Sequence, residues 1–237
     1  MVVYVVLPAY NEAKNILGLL ERFKQVLTLH DLTHEVFVIL VNNGSCDPTA
    51  DVLEKLLPKY SFIKTVLIEK NQGYGFGILF GLHAAKGEIL AWTHADMQTD
   101  PQDALRGLDL FEKYGPTIFV KGRRYGRPFA DVFFTMGMSL FETLLLRKPL
   151  WDINAQPTMF SRVFFETWQA DAPHDFALDL YVYYQAYSQH LPIHRFPVKF
   201  SLRAHGISHW NINWTAKQKF IKRTIDFSLQ LKKRVKK

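Results

Sequence analysis

Apolar runs and amphipathic stretches alternate along the first half of the chain. Residues 2–7 are unbroken apolar positions, the pattern of a buried strand, and Pro8 ends them. From 12 to 29, Ile16, Leu19, Leu20, Phe23, Val26 and Leu27 recur at helical spacing and predict an amphipathic helix. The pairing repeats: strand 36–41 with a helix from Pro48 to 57, strand 62–68 with a helix at 76–85, strand 88–92 with a helix from Pro101 to 114, then strand 117–121. Apolar strands alternating with helices across short turns predict an α/β fold, its parallel sheet covered on both faces through right-handed crossovers.

Past Gly122 the pattern changes. Arg123, Arg124 and Arg127 precede residues 129–146, which are strongly apolar and interrupted only by Asp131, Thr135, Ser139, Glu142 and Thr143. Ala130, Phe133, Phe134, Gly137, Leu140, Phe141, Leu144 and Leu145 form a broad apolar stripe at helical period. The two acids argue against a membrane span. Three readings stand: a core helix, an interfacial helix on a bilayer, or a helix that binds a partner. A loop at 151–157, a helix at 175–189 and a strand at 193–200 follow. Residues 1–210 are expected to form one domain with the helix at 127–147 inserted, and 211–237 a basic C-terminal helix.

Composition narrows the class. The chain has 237 residues, 48% of them apolar, enough for a full core. Its one cysteine, Cys46, excludes an intramolecular disulfide and fits a reducing compartment. The first residues read as a strand, without the basic lead and long apolar segment of a signal peptide. The formal charge of +7 is uneven: Lys217, Lys219, Lys222, Arg223, Lys232, Lys233, Arg234, Lys236 and Lys237 face only Asp226 in the last 21 residues. Such a tail suits an anionic lipid surface, nucleic acid or plain solvent. It belongs to no recognised nucleic-acid module, so no nucleic-acid partner is expected.

Four loops follow strand ends, at 8–12, 42–47, 94–98 and 122–127, and so belong along one edge of the sheet, where open α/β sheets bind ligands. They offer Glu12, Asn43, Asp96, Gln98, Arg123, Arg124 and Arg127. A carboxylate and an amide oxygen two residues apart suit a hard divalent cation carrying a phosphorylated ligand. Arginines fork onto further phosphate oxygens. The crevice suits a nucleotide-diphosphate leaving group. Gly73, Gly75 and Gly77 match neither a dinucleotide fingerprint nor a Walker A loop and read as a tight turn needing positive φ.

In order, Pro8-Ala9-Tyr10-Asn11-Glu12, Asn42-Asn43-Gly44-Ser45-Cys46-Asp47, Asn71-Gln72-Gly73-Tyr74-Gly75 and His94-Ala95-Asp96-Met97-Gln98 resemble the successive motifs of the family-2 glycosyltransferases with the GT-A fold, over residues 1–125. Further on, Gly122-Arg123-Arg124, the amphipathic helix, Asp152…Gln156-Pro157 and Arg203-x-x-Gly206-x-Ser208 resemble the dolichyl-phosphate mannosyltransferase branch, which moves a sugar onto a polyprenyl phosphate. The resemblance implies a three-layer GT-A fold and an inverting, metal-dependent transferase. It implies that Pro8, Tyr10, Glu12, Asn43, Gly73, His94, Ala95, Asp96 and Gln98 bind the nucleotide sugar. Asp96 and Gln98, with His94 a further candidate, would hold Mg²⁺ or Mn²⁺. Arg123, Arg124, Arg127, Arg203 and Ser208 would hold donor and acceptor phosphates, and Asp96, Asp152, Arg123, Arg127 and Arg203 would carry catalysis. The implied partners are a nucleotide-diphosphate sugar, a lipid-phosphate acceptor and an anionic membrane surface. The protein would reach that surface from the cytoplasm, peripherally or through a homo-oligomer or membrane-anchoring partner.

A phosphomonoester, with a second pKa of about 6, is already largely anionic at neutral pH and needs no strong general base. A hydroxyl acceptor, as in a soluble glycan-building transferase, needs one, and Asp152 is the candidate, with Asp175 and Asp179 behind it. Two departures mark the sequence. His94 stands where the family pattern has the first Asp of Asp-x-Asp, and Asn42-Asn43 stand for Asp-Asp. They leave three alternatives: an unusual donor, weakened metal dependence, or a non-catalytic nucleotide-sugar-binding scaffold.

Overall fold

The computed structural model describes residues 1–29, 34–201, 203, 205 and 214–235. Ser208, expected at the acceptor phosphate, lies outside the described residues. The elements run β1 (Val2–Ala9), α1 (Ala13–Leu29), β2 (Glu35–Asn43), α2 (Thr49–Leu56), β3 (Ile63–Ile68), α3 (Tyr74–Ala84), β4 (Ile89–Trp92), α4 (Gln102–Tyr114), β5 (Phe119–Tyr125), α5 (Phe129–Leu146), β6 (Thr158–Ser161), α6 (Arg162–Trp168), α7 (Ala177–Ser188), β7 (Ile193–Lys199) and α8 (Trp214–Val235).

The strands form one sheet in the order β3-β2-β1-β4-β6-β5-β7. β1 pairs in parallel with β2 and β4, β2 with β3, and β5 with β7. β6 lies antiparallel between β4 and β5. Sequence periodicity misses β6 because four residues are too few to show a period. Alternate residues of β1 serve two cores: Val3, Val5 and Leu7 pack with Ile16, Phe23, Leu105 and Phe111, while Tyr4 and Val6 pack with Ile78, Leu82, Phe164 and Tyr183. The unbroken apolar run is therefore what a strand covered on both faces requires. Each such buried side chain contributes about 1.5–3 kcal/mol of transfer free energy.

α5 is not a core helix. Phe129, Phe133, Met136, Leu140 and Leu144 are exposed, Phe129 by 85% and Phe133 by 72%, while Ser139, Glu142 and Leu146 are buried. Steps of three and four align the exposed five on one face. By length and composition alone α5 could cross a membrane. Its polar side, however, packs against α8, where Ser228 donates to Glu142 at 2.7 Å.

Candidate active site

The carboxyl ends of β1, β2 and β4 open into a cleft of about 510 Å³. Pro8, Tyr10, Glu12, Asn43, Gly73, His94, Ala95, Asp96 and Gln98 all line it, joined by Arg124, Arg127 and Arg203. Arg123 does not. β5 runs to Tyr125 rather than stopping at 121, so Arg123 and Arg124 are strand neighbours pointing to opposite faces, Arg124 inward and Arg123 exposed. Tyr74, from the glycine-rich motif, also lines the cleft, and so do Phe134, Asn154, Phe176 and Phe200, which escaped the sequence reading. Isolated residues in unrelated segments carry no motif, and only the fold brings them together.

Two loops are stitched by reciprocal hydrogen bonds. Asn11 is left-handed, φ 59°, and its side-chain oxygen accepts from the backbone N–H of Cys46 at 2.8 Å and of Asp47 at 3.3 Å. Its own N–H donates to Ser45 Oγ at 3.0 Å, and Ala13 N–H donates to Asp47 Oδ2 at 3.2 Å. Asn tolerates this backbone and caps at once, which explains the residue types of both motifs. Asn43 is spent on the glycine-rich turn: its Nδ2 donates to the Gly73 carbonyl at 2.9 Å and its Oδ1 accepts from Gln72 N–H at 3.4 Å. Gly73 has φ 106°, and a Cβ on Gly75 would lie 2.6 Å from the Asp175 carbonyl, so both glycines are required. Asn43→Asp removes the donor and sets a carboxylate against a carbonyl. Thermal unfolding should show a loss of about 1–3 kcal/mol; an unchanged melting curve would refute this anchoring role.

The 94–98 loop is built around Asp96, which is 4% exposed. Met97 is left-handed, φ 60°, and the turn returns Gln98 N–H to Asp96 Oδ1 at 3.1 Å. Thr93 and Thr99 hydroxyls meet at 2.9 Å beneath it. Gln98 also ties the loop to the 201 segment, its carbonyl accepting from Ser201 N–H at 2.9 Å. That junction delivers Arg203, whose guanidinium donates to Asp96 Oδ2 at 2.6 Å and to Glu12 Oε1 at 3.4 Å. Burial raises the Glu12 carboxyl above its usual range, against the opposing bond from Asn15 and the charge of Arg203. Burial likewise lowers the His94 pKa, with Asp96 opposing, so its imidazole is neutral near pH 7 and able to ligate or to donate.

A second charged group stands across the cleft. Asp152, left-handed at φ 47°, accepts from Arg124 N–H at 2.8 Å and from Arg124 Nε at 2.9 Å. Arg127 Nη2 and Arg195 Nη2 approach it at 3.6 and 3.9 Å. Burial would raise the Asp152 pKa, but Arg124 and Arg127 outweigh it and hold the carboxyl below its usual range. Asp152 is therefore an anchor for arginines and a poor proton acceptor, contrary to its expected role as base. Arg195, unanticipated from sequence, is fixed by the carbonyls of Gly122 and Trp151. Of the three guanidiniums around this carboxylate, Arg124 and Arg127 line the cleft, with Asp131 beside them.

Among the described residues no three His, Cys, Asp or Glu side chains gather as a metal cage. Asp96, Gln98 and neutral His94 offer one carboxylate, one amide oxygen and one imidazole. That set fits a divalent ion whose remaining ligands are phosphate oxygens and does not fit a permanently resident ion.

The Glycosyl transferase family 2 model matches residues 4–166, more than half of the chain. The chain belongs to glycosyltransferase family 2. This family-2 chain is 32% identical over 112 residues to the undecaprenyl-phosphate 4-deoxy-4-formamido-L-arabinose transferase of Serratia proteamaculans, covering 47% of this chain and 34% of that protein. The protein of the same name from Photorhabdus laumondii is 32% identical over 105 residues, covering 44% and 32%. The chain thus spans about a third of the length of the curated relatives it matches. Among solved structures, glucosyl-3-phosphoglycerate synthase of Mycobacterium tuberculosis with Mn²⁺, UDP-glucose and phosphoglyceric acid aligns with a TM-score of 0.72 at 16% identity, over 98% of this chain and 79% of that one. A mannosyltransferase of Pyrobaculum calidifontis with GDP-mannose and Mn²⁺ aligns with a TM-score of 0.62 at 18% identity, over 86% and 58%. At such identities the likeness shows the fold, which is GT-A.

Proposed function

We propose that this protein is an inverting glycosyltransferase that moves a sugar from a nucleoside-diphosphate donor, held with a divalent cation, onto a polyprenyl phosphate at a membrane surface. One observation carries the reading: a single cleft is lined by two separate groups of charged and polar side chains, Asp96, Gln98 and Arg203 in one and Arg124 with Arg127 in the other. The first group suits a cation-bound donor diphosphate and the second a further anion. The side chain of Arg127 is 8% exposed, and its buried Nε has no hydrogen-bond partner among the described residues, which suits a group that binds an oxyanion. Asp152 is committed to arginines, which favours an acceptor that arrives ionised over a hydroxyl needing a base. A cation, when bound, would offset charge on the leaving diphosphate. Arg203 would offset the rest. The matched relatives are named as undecaprenyl-phosphate transferases, which supports the acceptor class.

The test is a panel of nucleoside diphosphates with Mg²⁺ or Mn²⁺ in thermal shift, followed by transfer of labelled sugar from the matching donor. Transfer to undecaprenyl phosphate and not to free undecaprenol is expected; transfer to the alcohol overturns the acceptor class.

The surface reading rests on α5. Asp131, Phe134 and Thr135 at its N-terminal end line the cleft, and the exposed apolar stripe runs on from there. Lys222, Arg223, Lys233 and Arg234 of the neighbouring α8 are exposed and suited to anionic headgroups, at about 1 kcal/mol each. Phe133→Asp with Leu144→Asp should cut binding to phosphatidylglycerol vesicles at least about tenfold, worth roughly 1.4 kcal/mol. Since both side chains are exposed, melting should not change. Undiminished flotation would remove α5 from the surface.

A further inference from the structure

We propose that Lys121 is the positioning residue that holds the Asp179 carboxylate at the cleft floor, where Asp179 accepts hydrogen bonds from hydroxyls of the donor sugar. This rests on the donor reading above and names the part of the cleft that holds the sugar. Asp179, on α7, is 2% exposed yet lines the cleft. Its Oδ1 accepts from Gln156 Nε2 at 2.7 Å, and the same Nε2 donates to the Tyr74 hydroxyl at 3.3 Å. The Tyr74 ring lies 6.3 Å from that of His94, two residues from Asp96, and all four residues line the cleft, so Asp179 stands on the His94 side of the diphosphate end. A group attached to that diphosphate meets Asp179 next.

A carboxylate buried this deeply is costly unless it is paired and hydrogen-bonded. Lys121 supplies the pairing from behind. It is wholly buried on β5, its Nζ donates to Thr158 Oγ1 at 2.7 Å, and it stands 3.6 Å from Asp179 Oδ1. The Tyr183 ring lies 5.7 Å from the same ammonium. Lys121 does not line the cleft, so it reaches substrate only through Asp179. Arg195 and Arg124 also face it with like charge and Asp152 with opposite charge. Burial first, with Asp179 opposing, lowers its pKa to about 8. As pH rises through that value the ammonium discharges and Asp179 loses its counter-ion.

The test compares a nucleoside diphosphate with its hexose ester, using UDP with UDP-glucose and GDP with GDP-mannose. Affinities are measured with Mg²⁺ one pH unit below and one above the Lys121 value. The affinity gained through the sugar should fall about tenfold across that interval in the wild type, while the affinity for the bare diphosphate stays constant. Lys121→Met and Asp179→Asn should each show the reduced gain at both pH values, and the double variant should be no worse than Asp179→Asn alone. A sugar-dependent gain that ignores pH overturns the proposal, as do additive losses in the double variant. The wild-type titration decides even where Lys121→Met does not fold. If neither member of any pair binds, the donor reading falls and takes this inference with it. If both bind and the gain does not respond, only the role of Lys121 falls.

Discussion

Asp96→Asn is expected to lower kcat/KM about a thousandfold, roughly 4 kcal/mol of transition-state stabilisation, with little change in melting temperature. The asparagine is isosteric and its Oδ1 can still accept from Gln98 N–H, so the loop keeps its shape. What disappears is the carboxylate facing Arg203 and any cation brought by the diphosphate. Arg203 is not stranded by the change, because Glu12 lies 3.4 Å from its Nη1 and its side chain is 24% exposed. A stability loss above about 3 kcal/mol would mark Asp96 as structural, since that is the scale of breaking a buried ion pair. Activity within tenfold of wild type would remove Asp96 from the chemistry. Steady-state transfer and thermal unfolding on the same preparations separate these outcomes.

Glu142→Gln is expected to stabilise the protein above pH 7 by up to roughly 3 kcal/mol and to have little effect in acid. Glu142 is fully buried between α5 and α8. One oxygen accepts from Ser228, and the other has no partner among the described residues. Burial raises its pKa from 4.5 to about 7, with the Ser228 bond opposing. The folded chain therefore holds a proton that the unfolded chain releases. The stability it contributes is complete below pH 4.5 and is lost as pH rises through 7. Glutamine mimics the protonated acid at every pH, so the difference between variant and wild type should grow across that window and then level off. Urea unfolding of both proteins at acid and alkaline pH reads it directly, and parallel curves would refute it. Because Glu142 joins the two helices assigned to the membrane surface, the same substitution should leave vesicle binding less sensitive to pH.

The legible part of the site was the part written in short contiguous motifs. Residues 8–12, 42–47 and 94–98 each follow a strand end, and strand ends share an edge in a parallel sheet, so Glu12, Asp96 and Gln98 could be placed together from sequence. The arginine segment was harder. The polar residues at its end hid the continuation of β5, and one strand register decides that Arg124 faces the cleft while Arg123 does not. Asp152 stood as a candidate base because nothing nearby in sequence names its partners; Arg195 comes from a strand over forty residues away.

Sequence by itself determined the α/β class, the two-faced burial of β1 and β2, the cleft edge and the residues of three loops that line it, because periodicity and strand-end position are local properties. Tertiary structure alone decided the antiparallel insertion of β6, the outward apolar face of α5, the capture of Asp152 by arginines and the pairing of Lys121 with Asp179. Each depends on which distant segment arrives opposite. A charge or an apolar stripe carries its chemistry in the sequence, but its partner, and with it the sign of its contribution, is set only when the chain closes around it.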